Sequence, residues 1–426
     1  MRESNLLAPA PHAIPLTCID LFAGAGGLSL GFEEAGFQTA VAVDSWLPAV
    51  DTYTCNFPEV PFLQADLRDL NAHDLLASSG LITAPTVVTG GPPCQGFSSA
   101  GRRESTDPRN TLVSVFARLV AELRPPFVMF ENVEGFLTAG AGAAVVALLD
   151  PLVAAGYQIH LRKVNAANYA VPQLRKRVIA IGALGFEPPF PEITHTAYGA
   201  PGAHLAGVTY PPSPTLRDAL SSLAPPGCAA APRDHDVVPL SECDLERSHF
   251  LAAGDTMKSL PAHLRHPSYD RRAYRRVMDG TPSDKRGGAP AGLRRLHWDQ
   301  PSKAITSAAV REFLHPDEHR FLTLRECARL QTFPDDFTFV GSKADKATLI
   351  GNAVPPRLSR KFGEALSEGF HRTVSPPGNG TGSLVSFLPT LSAGQSPLLN
   401  EVVAVIQSRY LRRPANTARQ MILFDA

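Results

Sequence analysis

In "VVTGGPPCQGFSSAG", from Val87 to Gly101, an apolar run ends in two glycines and two prolines, and Cys94 follows at once. A cysteine kept for packing would lie inside the run, whereas this one sits just past its end on a stiff turn. A free thiol has a pKa near 8.5 and is only slightly ionised at neutral pH, so catalytic use needs surroundings that favour the anion. Two other segments offer partners. "ENV" places a carboxyl, Glu131, at the end of another apolar run, and "QLRKRV" supplies Gln173, Arg175 and Arg177. A nucleophile, a carboxyl and guanidinium groups on one rim could bracket a planar heterocycle. Singly, each has a plainer reading as an inert buried thiol, a helix N-cap or a solvated surface strand. Together and in this order, they are hard to assign to accident.

A second group of residues suits a ligand. "CIDLFAGAGGLSLGFEEAGF" puts glycines where a strand gives way to a helix, so the backbone can turn tightly and approach a bound molecule. Asp44 ends the next apolar run, where a carboxylate can accept both hydroxyls of a ribose. Asp66, in "LQADL", ends the third run and could accept from an adenine amino group. Gly24, Gly26 and Gly27 only approximate the dinucleotide spacing GxGxxG, which favours a nucleoside without phosphates, such as S-adenosylmethionine, over a pyrophosphate. A tight turn that binds nothing is the alternative.

These residues need a scaffold. From Leu16 to about Gly185 the runs "LTCIDLF", "FQTAVAVD", "PTVVTG", "FVMFENV", "YQIHLRKV" and "RVIAIGAL" alternate with amphipathic stretches such as "TLVSVFARLVAEL". This rhythm predicts an α/β fold with a doubly wound, mostly parallel sheet over residues 16–185. The rhythm breaks at Phe186, and residues 186–308, rich in Pro, Gly, His and Arg, read as a smaller, loop-rich second domain. Helical texture returns over 309–372. The Ser/Gly/Pro-rich stretch Thr373–Gln395 reads as a linker within a tail running to residue 426, with an amphipathic helix in "PLLNEVVAVIQSRYLRR".

The 426 residues, 44% of them hydrophobic, can build a sizeable core, and the net charge of zero excludes a general basic field. Six scattered cysteines without metal-ligand spacing imply reduced thiols and no structural zinc. No signal peptide or membrane span is evident, so a soluble, cytoplasmic protein is expected. Charge is concentrated locally: from Arg265 through Arg311 there are eleven Lys/Arg against four acids, a surplus of seven that suits a phosphate-tracking surface. Arg271, Arg272, Arg275 and Arg276 are its densest part.

The ordered segments "DLFAGAGGLSLGF", Asp44, Asp66, "GGPPCQGFSSAG", "ENV", "QLRKRV", "RFLTLRECARLQTFPDDF" and "GNAVPP" resemble the motifs of the DNA (cytosine-5) methyltransferase family. The likeness spans Leu16 to about Phe370, except the segment from about Phe186 to Ala308, which in that family is the target-recognition domain. It implies a Rossmann-like sheet, S-adenosylmethionine as cofactor and double-stranded DNA as partner. By that resemblance Cys94 attacks C6 of a flipped cytosine, while Glu131 binds its N3, donating a proton there, and its exocyclic amino group. Arg177 lies near O2 of the base, and Gln173 and Arg175 support the loop and the DNA backbone. Gln95 and Ser98 contact DNA. Phe22, Gly24, Gly26, Asp44, Asp66, Pro93, Asn352 and Val354 form the cofactor site. Two departures stand out. Asp44 occupies a position that is often Glu in the family, and Ser45 follows it where some members have tryptophan, with Trp46 one residue later.

Other classes fit less well. No signature of the tRNA-directed branch is seen, and the unrelated RNA cytosine methyltransferases carry a second cysteine where "ENV" stands. Amino-methyltransferases use an (N/D/S)PP(Y/F) turn in place of "GPPCQ". A non-catalytic DNA-binding module would not need the full set of candidate catalytic residues. The motifs begin near Asp20, leaving no room for an amino-terminal regulatory domain. This predicts a monomeric, nucleoid-associated bacterial enzyme of a restriction-modification system, with a separate cognate endonuclease.

Overall fold

Apolar runs bounded by Gly, Pro and Asp become the strands of one central sheet. The computed structural model describes residues 15–93, 111–196, 210–265, 292–372, 382–389 and 397–411. Strands β1 (Leu16–Leu21), β2 (Phe37–Asp44), β3 (Phe62–Gln64), β4 (Val87–Gly90), β5 (Phe127–Asn132), β6 (Tyr157–Asn165), β7 (Lys176–Leu184) and β8 (Ser383–Leu388) lie in the order β8-β6-β7-β5-β4-β1-β2-β3. All pairings are parallel except those of β7, which runs antiparallel to β5 and β6. Every residue of β4 and β5 is buried, the unbroken apolar pattern of strands covered on both faces.

Helices α1 (Gly27–Glu34), α2 (Leu47–Asn56), α3 (Ala72–Ser79), α4 (Thr111–Leu123) and α5 (Ala143–Ala154) provide the crossovers. After the small lobe come α6 (Leu324–Leu330), α7 (Lys343–Asn352) and α8 (Pro356–Arg372). The buried Phe362 and Leu366 of α8 join Leu28 and Phe32 of α1 in one apolar cluster. One helical run, Glu134–Ala154, has the length and apolar composition of a membrane span, but half of it is buried in this fold. Left-handed backbone at Gly140 and Ala141 also breaks it.

The tail departs from the linker reading. Leu384 and Phe387 anchor β8 in the main core, and β8 pairs with Gln158–Arg162 at the sheet edge. The expected helix, α9 (Pro397–Tyr410), inserts Val402, Ile406 and Tyr410 into the same core, while Arg409 and Tyr410 both bond Asp150. Six residues, SLVSFL, interrupted by a second serine and flanked by Ser, Gly and Pro, are a short signal for a strand.

The expected boundaries of the second domain also shift. Phe186, Phe190 and Ile193 pack on the sheet lobe, so the segment just after residue 185 belongs there. Phe313–Leu314 pairs with Arg294–Arg295, and Leu314 shares a small core with Leu251, Met257, Leu260, Leu264 and Leu293. The 308/309 boundary therefore falls inside the small lobe. Leu216, Leu220, Leu296 and Ile305 join Tyr53, Phe57 and Phe333 in a core that fuses the lobes.

Candidate active site

The carboxyl ends of β1, β2, β4 and β5 open into a cleft of about 680 Å³, in the range of small-ligand sites. After β1 the chain turns through left-handed backbone at Phe22 (φ 61°), Gly24 (φ 56°) and Gly26 (φ 86°). A left-handed phenylalanine costs about 1–3 kcal/mol, strain retained here on the cleft wall. Gly26 has a different task from the expected one. It does not line the cleft; a Cβ there would lie 2.5 Å from the Phe57 ring, so glycine permits the turn to close on α2.

Asp44 holds this turn. One carboxylate oxygen accepts from the Gly24 amide and the other from the Trp46 amide, both at 2.9 Å. Burial raises its pKa, and those two amides pull it back. The carboxylate lines the cleft and keeps acceptor capacity that a ligand hydroxyl could use. Asp66 stands two residues beyond β3, not at its end, and its carboxylate is held by Arg68, which keeps its pKa low. Phe22, Gly24, Asp44, Asp66, Pro93, Asn352 and Val354 all line the cleft, as do Trp46 and Arg68, for which no role was expected.

The other end of the same cleft carries the acid and the arginine. Gly90 of β4 pairs with Phe130 of β5, which sets Gly91 beside Glu131. A Cβ on Gly91 would lie 3.2 Å from Glu131 Oε2, so the turn that leads to Cys94 passes directly under this carboxyl. Asn132 fixes that approach by donating to the Pro92 carbonyl at 3.2 Å. Its signal in the sequence was a polar residue ending an otherwise apolar strand. Glu131 faces Ile179 across the β5–β7 ladder, and Arg177 projects two residues further along. Arg177 Nε lies 2.7 Å from Glu131 Oε1, and both side chains are largely buried. That contact is not aligned as a hydrogen bond, and Glu131 Oε1 has no hydrogen-bond partner among the described residues. A buried carboxyl with unused capacity, next to a guanidinium, is a polar socket for a ligand edge.

Gln173 and Arg175, expected to support the loop and the DNA backbone, turn into the fold. Both are fully buried. Gln173 donates to the Leu330 carbonyl and accepts from the Ile305 amide. Arg175 donates to the carbonyls of Ile305, Gly351 and Ala353 at 2.6–3.0 Å, with burial and then Arg177 pulling its pKa down. They fasten the loop that carries Asn352 and Val354 onto the catalytic strands, so they act on the cleft through its frame.

Beneath the glycine turn lies a network that no motif in the sequence announces. Asp20 is fully buried and accepts from Ser29 at 2.6 Å and Thr89 at 3.0 Å, while Tyr53 donates to Ser29 at 2.7 Å. It joins β1, α1, β4 and α2 under the cofactor turn. Burial pushes the Asp20 carboxyl up to about 6. Cys94, Gln95, Ser98, Arg271, Arg272, Arg275 and Arg276 lie outside the described residues. Within the basic run, Arg295 is buried and bonds four backbone carbonyls well, so it is not available to phosphate.

Comparison with known proteins identifies the family. Residues 16–368 match the model of the C-5 cytosine-specific DNA methylase family. The Type II methyltransferase M1.HphI of Haemophilus parahaemolyticus is 36% identical over 359 residues, which cover 83% of this chain and 87% of that protein. M.AgeI of Thalassovita gelatinovora is 31% identical over 82% of this chain and 98% of its own length. A crystal structure of a prophage-encoded E. coli protein, named as a DNA modification methyltransferase, superposes with a TM-score of 0.61. It is 26% identical and covers 84% of this chain and all of that one. With its sheet, its cleft and its ordered motifs, the chain belongs to the C-5 cytosine-specific DNA methylases.

Proposed function

We propose that this methyltransferase modifies one cytosine within a specific double-stranded DNA sequence, as the modification half of a bacterial restriction-modification system. It acts in the cytoplasm as a monomer, separately from a cognate endonuclease. The observation that carries the reading is the single cleft in which Asp44 and Asp66 stand at one end and Glu131 and Arg177 at the other.

S-adenosylmethionine, when bound, supplies an electrophilic methyl carbon on its sulfonium. Asp44 accepts from the ribose hydroxyls and Asp66 from the adenine amino group. Phe22 and Val354 provide apolar walls, and Asn352 contributes a polar rim. C5 of cytosine is a poor nucleophile, so the thiolate of Cys94 adds to C6 and the C5–C6 electron pair moves onto C5. Glu131 donates a proton to N3, which keeps negative charge from building on the ring, and accepts from the exocyclic amino group. Arg177 faces O2. After C5 has taken the methyl group, its proton passes to solvent, the C5–C6 double bond re-forms as the thiolate departs, and N3 returns its proton to Glu131. Extrusion of the base costs a few kcal/mol, which contacts in this socket offset.

The test is transfer of labelled methyl groups to duplex DNA, with the modified position mapped by bisulfite sequencing. Wild type is expected to mark one cytosine in a fixed context, and Cys94→Ser none, while Cys94→Ser still binds DNA and cofactor. Label on adenine, on cytosine N4 or only on tRNA would overturn the proposal.

A further inference from the structure

Arg68 engages both carboxylate oxygens of Asp66. Asp66 Oδ1 takes the backbone amide of Arg68 at 2.9 Å and Arg68 Nε at 3.0 Å, while Oδ2 takes Nε at 3.1 Å and Nη2 at 2.5 Å. A carboxylate offers about four lone-pair positions, and three N–H groups of Arg68, with Nε shared between the two oxygens, crowd most of them. Both side chains line the cofactor cleft and remain partly exposed, at 52% for Arg68 and 34% for Asp66. With half of its side chain in solvent, Arg68 can exchange Asp66 for water.

We propose that Arg68 is a built-in competitor for the adenine subsite, which must leave Asp66 before a cofactor amino group can be accepted there. This rests on the reading that Asp66 accepts the adenine amino group. Its consequence is a cofactor affinity set below what the cleft alone would give, and a correspondingly easier exit for the demethylated product. Because the pair is exposed, the handicap is small, about twofold to fivefold in the binding constant. Screening should reduce it as ionic strength rises.

S-adenosylhomocysteine is the suitable probe because its net charge is zero, so loss of a positive side chain has little direct Coulomb effect on it. Calorimetry should show Arg68→Ala binding it about twofold to fivefold more tightly than wild type at low salt, with the gap closing at high salt. The analogue bearing hydrogen in place of the 6-amino group has nothing to offer Asp66, so it should bind both proteins equally. Equal or weaker binding of S-adenosylhomocysteine by Arg68→Ala would overturn the competitor role. Failure of the underlying reading looks different: Asp66→Ala would then bind S-adenosylhomocysteine normally, and wild type would not distinguish it from the analogue.

Discussion

The two lobes hold their backbones by different means. In the sheet lobe, ladder bonds satisfy the peptide groups, and a large cluster of aliphatic and aromatic side chains, from Ile19 through Tyr410, does the rest. The small lobe has two-residue strands and a core of six fully buried apolar side chains. There Arg295 takes over, bonding the carbonyls of Leu251, Ser248, His315 and Glu318 with one guanidinium. Arg325 does the same for Arg233, Pro334 and Phe337 at the junction between lobes. Buried carbonyls must be paired somewhere, and where loops replace ladders a five-donor side chain is an efficient partner. An arginine-rich loop segment can thus be internal scaffolding as well as a phosphate surface, and only its geometry tells the two apart.

The sharpest break in this contrast is Arg295→Met. It leaves four carbonyls without their charged partner, so the small lobe should lose about 3–5 kcal/mol and DNA binding with it. S-adenosylhomocysteine affinity should survive, since the cofactor cleft draws on the sheet lobe. Calorimetry with that ligand, alongside a DNA gel shift, checks both halves; unchanged DNA binding would show that Arg295 is dispensable.

The sheet lobe has its own buried charge in Asp20. Its folded pKa of about 6 lies above the ordinary value of 3.8, so the folded state holds the proton more tightly than the unfolded chain. Stability from this group is full below about pH 4 and is lost as pH rises through 6, by about 2–3 kcal/mol. Asp20→Asn should remove that component: the stability difference, variant minus wild type, should grow between pH 4 and 7. Denaturant unfolding at a series of pH values measures it, and parallel profiles would contradict the assignment.

The smallest effect on folding is expected from Arg271 and Arg272. If they track phosphates, neutralising both should leave stability unchanged and flatten the salt dependence of DNA binding by about 0.9 log units per lost contact. Binding measured against salt decides it, and equal slopes would make the run a solvated face.

The sequence announced most of the sheet lobe because its functional residues interrupt apolar runs. Asp44, Gly91 and Glu131 each stand where a strand meets the cleft, and their residue types are conspicuous there. The arginines of "QLRKRV" were harder to read. A continuous strand would put Arg175 and Arg177 on one face, but the chain leaves one pairing at Leu174, which matches Lys303, and enters β7 at Lys176. Arg175 falls in the break and turns into the core, while Arg177 reaches Glu131. The Arg68–Asp66 pair was equally hidden, since nothing in "ADLRD" says that a neighbour two residues on will fill the acceptor.

In the proposed reaction Cys94, Glu131 and the cofactor cleft act on one extruded cytosine. A duplex carrying 5-fluorocytosine at the mapped target tests this most directly, because fluorine cannot leave C5 as a proton does. Incubated with S-adenosylmethionine, the wild-type protein should form a stable covalent adduct, seen as a denaturant-resistant shift. Cys94→Ser should form none. Absence of an adduct with wild type, on a duplex whose unfluorinated form is methylated, would rule out covalent attack by Cys94.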